Sequence, residues 1–98
     1  MKFEILQVKK DLIAKYGFDS YEWAMKKGFD INHYEKVYEG EINVDELTDE
    51  MEICEILFQK FNINRPDDFT GHSLSTSDIV VVNGRQYYTD FIGFKRLS

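Results

Sequence analysis

The side chains with the most chemistry in this sequence stand close together: His72 and Ser73, then Ser75, Ser77 and Asp78. A histidine beside a serine, with a carboxylate nearby, could in principle form a nucleophilic serine site. Such a site needs a base held on the hydroxyl and an acid that orients the base. His72 and Ser73 are adjacent in the chain, and adjacent residues rarely meet in that geometry. The competing reading is a turn. Short polar side chains bond nearby backbone groups, and Thr70 to Asp78 is dense in them. Ser73, Ser75 and Ser77 alternate, so they could line one side of an extended segment. Metal chemistry has less support. Cys54, His33, His72 and the scattered acids form neither a CxxC nor an HExxH spacing. No glycine-rich loop opens a helix, and Gly71 is isolated. The sequence therefore predicts no catalytic residue, no metal and no cofactor.

The element that must position this turn follows it. Ile79 to Val82 is a run of four β-branched residues, then Asn83-Gly84, then Arg85 to Thr89. Asn-Gly between two such runs predicts a hairpin with a type I′ turn, because both central residues must take φ > 0. A two-residue turn pairs Val82 with Arg85, Val80 with Tyr87 and Ile79 with Tyr88. Both faces are largely apolar, which predicts a central hairpin. Gly93 allows a bend, and Phe94 returns apolar area to the core.

The second half of the chain carries a family pattern. Phe61-Asn62, Pro66, Asp68-Phe69, Gly71-His72-Ser73-Leu74-Ser75, Ser77-Asp78, Tyr87-Tyr88 and Gly93-Phe94 stand in that order. Earlier, Tyr34-Glu35 and Val37-Tyr38 add a Y-E-x-V-Y segment. This pattern resembles the YodL-like domain, a small domain of Firmicute proteins and of conjugative and phage elements. The resemblance covers most of the chain, is loosest in the N-terminal third, and attaches no reaction to any residue. In that family Gly71, His72, Ser73, Ser75, Ser77 and Asp78 form the signature turn, read here as structural.

Ninety-eight residues, 43% of them hydrophobic, predict one domain spanning residues 1–98 with a modest core. No apolar run approaches the roughly 20 residues needed to cross a bilayer. Glu4 interrupts what would be the apolar core of a signal peptide, and a single cysteine fits a reducing compartment. Both point to the cytoplasm and away from a membrane. The net charge is −6, yet Val37 to Gln59 alone carries eight acids and no Lys, Arg or His, leaving +2 for the rest. Direct phosphate binding calls for basic residues on one face, so no nucleic acid is expected as a partner.

The remaining elements follow from periodicity. Residues 2–8, 34–42, 78–82 and 85–91 read as strands. Residues 20–27 read as a helix capped by Asp19 and stopped at Lys26-Lys27-Gly28. A main helix over 44–61 begins at Asn43 or Thr48. Its apolar stripe is Leu47, Met51, Cys54, Phe58 and Phe61, widened by Ile53 and Leu57. Cys54 inside that stripe is expected to be buried and inert. Ile56 falls opposite it, among Asp45, Asp49, Glu52 and Lys60. The prediction is an α+β fold: an antiparallel sheet of about four strands against two helices.

Function is then an expectation built on charge and resemblance. The absence of a catalytic constellation points to a non-enzymatic protein-binding module. The family's association with mobile elements and phages suggests an inhibitor of a host defence nuclease, of the anti-CRISPR or antirestriction type. Its partner would be a host protein with a basic surface, a CRISPR effector nuclease being the concrete case. Glu46, Asp49, Glu50, Glu52 and Glu55 are the expected acidic face, with Ile56 as its apolar contact. The family's naming member implies an alternative, a regulator of the bacterial actin-like cytoskeleton, bound through the serine-rich turn and Tyr87 to Phe94. A small enzyme using His72 and Ser73 is a third reading. The wide apolar helix face could also serve a homodimer.

Overall fold

A computed structural model describes residues 1–63 and 65–97. Its centre is the hairpin of β3 (Ile79–Val82) and β4 (Arg85–Thr89). Asn83 and Gly84 both take positive φ, 52° and 79°, and the pairing is the one a two-residue turn dictates: Val82 with Arg85, Val80 with Tyr87, Ile79 with Tyr88. β1 (Lys2–Val8) pairs with β3, and β2 (Tyr34–Glu41) pairs with β1. A fifth strand, β5 (Phe94–Arg96), pairs with β4. The sheet is antiparallel throughout, with the order β2-β1-β3-β4-β5.

The sheet thus has one strand more than expected, and β4 stops at Thr89 instead of running to residue 91. The chain turns at Asp90 to Gly93, where Asp90 N–H donates to Gly93 O and Gly93 takes φ 73°. Three residues with two cations among them carry no period-2 signal, so only the pairing reveals β5.

Helix α3 (Glu50–Ile63) covers one face of the sheet. Ile53, Cys54, Leu57 and Phe61 meet Phe3, Ile5, Val80, Val82 and Tyr87 there, all buried. Phe61 sits in an aromatic cluster, its ring 4.9 Å from Phe69, 5.2 Å from Tyr38 and 5.9 Å from Phe3, each edge to face. The helix begins at Glu50, close to the Thr48 start and not near residue 44: Asp49 Oδ1 accepts from Met51 N–H and Asp49 O from Ile53 N–H. The buried face is also rotated from the expected stripe. Leu47 lies before the helix and is 93% exposed, and Met51 is exposed too. The wide apolar face is covered by the chain's own sheet.

The other face carries α1 (Ile13–Tyr16) and α2 (Tyr21–Lys26), preceded by a 3-10 turn at Lys10–Leu12. Adjacent strand residues point to opposite faces. Tyr87 faces α3, so Tyr88 faces away, where it meets Tyr21 and Phe29. Ser20, not Asp19, caps α2: its Oγ accepts from Trp23 N–H at 3.2 Å. Asp19 instead pairs with Lys27 at 3.0 Å. Gly28 takes φ 87° just past the helix, as its position after Lys27 predicts.

A bulge in the β1–β2 pair gives the sheet two differently used tyrosines. Ile5 pairs with Tyr38 and Leu6 with Lys36, so Val37 is the extra residue. Without it Tyr34 and Tyr38, four apart, would share a face. With it Tyr38 joins the Phe61 cluster, and Tyr34 packs with Phe29 on the opposite face.

Candidate functional site

The signature turn is held by its own buried polar groups. Ser75 to Asp78 closes a β-turn, Asp78 N–H donating to Ser75 O at 3.1 Å. The Asp78 carboxylate reaches back, Oδ2 accepting from Ser75 N–H at 2.8 Å. Asp78 is 1% exposed. Gln7, buried on β1, donates from Nε2 to Asp78 Oδ2 at 3.1 Å and to His72 O at 2.9 Å, which uses both amide hydrogens. His72 Nδ1 lies 2.7 Å from Ser73 O and 3.3 Å from Gln7 Nε2; with both Gln7 amide hydrogens committed elsewhere, Nδ1 donates to Ser73 O. Its Nε2 faces Asp78 Oδ1 at 4.0 Å. Burial pushes the Asp78 carboxyl up to about 7, while the Ser75 and Gln7 hydrogen bonds pull it down.

The three serines do not line one side. Ser73 is exposed, Ser75 donates from Oγ to Ser73 O at 2.8 Å, and Ser77 is buried with φ 84°. Ser77 ties four segments together. Its N–H donates to Thr89 O, its carbonyl accepts from Tyr34 OH at 2.7 Å, and its Oγ accepts from Phe18 N–H at 2.9 Å. The alternation in sequence fails as a guide because the turn's left-handed residue breaks the extended backbone. The His72 ring meets the Ser73 carbonyl, not its hydroxyl, so this pair does not place a base on the Ser73 oxygen.

Gly71 is where this clasp is tightest. A Cβ there would run into Gln7 Oε1 and come within 3.1 Å of the Phe69 ring. Gly71→Ala should therefore push Gln7 off Asp78 and cost about 1–3 kcal/mol. Urea unfolding of the parent and the variant measures this; a difference under a few tenths would contradict it.

The expected acidic face divides in two. At about 100° per residue, the buried residues of α3 centre on the direction of Glu50. Glu50 accordingly faces the sheet, where Oε2 accepts from Arg85 Nη1 at 2.6 Å and Oε1 accepts from the Tyr87 hydroxyl. Its side chain is 20% exposed. Burial, and then the hydrogen bond to Glu50, pushes Tyr87 up to about 12. Asp49, Glu52 and Glu55 lie on the outward arc and are exposed, as is Glu46 in the loop before the helix. Ile56 is on the same arc at 40% exposure. Ile63, 84% exposed, lies seven residues on and extends that stripe. The spacing from Ile56 gives it, two residues past the expected helix end at residue 61. Cys54 is fully buried, its thiol pushed up to about 12 by burial and the neighbouring Glu50.

Among the described residues no group of three or more His, Cys, Asp or Glu side chains is gathered as a metal site, and no helix is long and apolar enough to cross a membrane.

Fold and turn together define a small α+β domain built around a Gly-His-Ser clasp. The chain belongs to the YodL-like domain family, whose model matches residues 2–98. Neither a curated protein nor a solved structure matches it.

Proposed function

We propose that this domain is a non-enzymatic protein-binding module that inhibits a host defence nuclease, of the anti-CRISPR or antirestriction kind. It acts in the cytoplasm by laying an acidic helix face over a positively charged nucleic-acid channel. One observation carries the reading: the outward arc of α3 presents Asp49, Glu52 and Glu55 around Ile56, all exposed. The same basic field that draws DNA draws such a face, and an apolar contact in its middle adds short-range affinity. Glu50 is not part of the contact, because Arg85 already neutralises it.

The test is competition. The full chain captures its partner from host lysate, and the purified partner's DNA complex is then titrated with the domain. The domain should displace DNA, and Glu46→Lys with Glu52→Lys and Glu55→Lys should weaken displacement by on the order of 10–100-fold at low salt. Undiminished displacement by the triple variant would overturn the mechanism.

A second reading, regulation of an actin-like filament protein, is favoured by a different surface. Phe91 and Ile92 stand at the tip of the β4–β5 turn, 70% and 89% exposed. Capture of a filament protein, released by Phe91→Ser but not by the helix variants, would select it.

A further inference from the structure

We propose that the cleft between α3 and the β4–β5 turn receives an arginine side chain of the partner. The proposal rests on the protein-binding reading above and names what one part of that surface takes. The cleft measures about 260 Å³ and is lined by Glu55, Phe58 and Gln59 of α3 and by residues 89–91 and 93–94 across from them. Small-molecule and cofactor sites run about 300–1,000 Å³, so this volume suits a side chain better than a cofactor.

Three features select the side chain. The first is an unpaired hydroxyl. Thr89 is 2% exposed and lines the cleft, and its Oγ1 has no hydrogen-bond partner among the described residues. A buried hydroxyl without a partner is costly; the oxygen is shielded in the empty cleft, so Thr89 turns about χ1 to meet a donor there, and that bond removes the cost. The second is a pair of rings: Phe58 and Phe94 stand edge to face, their centroids 6.3 Å apart. The third is charge. Glu55 is exposed at the mouth, and Asp90 lies beside Thr89, its Oδ1 accepting from the N–H groups of Tyr21 and Phe91.

An arginine answers all three. Its stem packs on phenyl edges, its plane stacks on a ring, and its five donors reach a hydroxyl and a carboxylate together. A lysine is more strongly hydrated and offers a compact ammonium. An aliphatic side chain leaves Thr89 unpaired, and an acid is repelled. Glu55 also belongs to the outward arc of α3, so the cleft continues the acidic surface that meets the partner.

Titration calorimetry of the full chain with oligoarginine and oligolysine peptides of equal length tests this. The arginine peptide should bind about tenfold more tightly. Thr89→Val removes the hydroxyl at nearly constant shape; it should abolish that preference without lowering the melting temperature of the free protein. Glu55→Gln, at an exposed position, should reduce the preference with the fold intact. Glu46→Lys with Glu52→Lys, outside the cleft, should weaken both peptides alike and keep the preference. Equal affinity for the two peptides, or a preference that survives both Thr89→Val and Glu55→Gln, would overturn the proposal. Retained arginine preference in a domain that fails to displace DNA would overturn the inhibitor reading and leave the cleft standing.

Discussion

Phe61→Ala should lose about 3–5 kcal/mol of stability, the largest effect of any single side chain on the α3 side of the sheet. Phe61 is fully buried at the C-terminal half of α3, and its ring meets Phe3, Tyr38 and Phe69. Truncation removes the ring's transfer free energy, leaves a cavity and breaks three edge-to-face contacts at once. The cavity cannot collapse easily, because Phe3 and Tyr38 are fixed by paired strands and Phe69 leads into the clasp. A domain of this size has about 5–15 kcal/mol in total, so the variant should be marginal at room temperature. Urea denaturation followed by circular dichroism reads the loss. A midpoint close to the parent's would mean that α3 is not docked through this cluster.

Asp78 predicts the second large effect, and its sign is unusual for a carboxylate. Its folded-state value is raised from 3.8 to about 7, so the folded protein holds this proton more tightly than the unfolded chain does. The stabilisation is fully present below pH 4 and is lost as pH rises through about 7. A shift of this size corresponds to about 4 kcal/mol between those limits. Asp78→Asn keeps an oxygen for Ser75 N–H and Gln7 Nε2 and removes the buried charge, which His72, Tyr34 and Tyr88 also face. The variant's stability should be flatter between pH 4 and 8, and should exceed the parent's at pH 8. Parallel pH profiles for parent and variant would contradict this account of the clasp.

Much of the scaffold can be read from the residues alone. Asn83-Gly84 between β-branched and aromatic runs fixes the hairpin and its register, because few turns accept two residues at positive φ. Two apolar faces on that hairpin place it in the middle of the sheet. What escaped reading was decided by partners distant in sequence. β5 exists because Phe94 to Arg96 finds β4, and nothing local announces it. The bulge at Val37 depends on β1. The start of α3 depends on Asp49 capping where Asn43 was equally plausible. The buried face of α3 is turned toward Glu50, whose carboxylate meets Arg85 and Tyr87 on β4.

The candidate surfaces divide along the same line. The exposure of Ile56 among acids follows from helical spacing, and Ile63 follows from the same spacing carried one step further. The clasp of Gln7, His72 and Asp78 was invisible, because Gln7 lies in the first strand and the turn in the second half. The Thr89 cleft was invisible for a similar reason: it forms only when a strand end and a helix are brought together.

In the binding mode proposed above, partner contact falls to the outward arc of α3 and the signature turn is structural. Comparing the affinity of the captured partner for two folded variants tests it most directly. His72→Ala with Ser73→Ala should bind like the parent, and Glu52→Lys with Glu55→Lys should bind on the order of tenfold more weakly or worse. Loss of binding in the first variant, with the second unaffected, would contradict it.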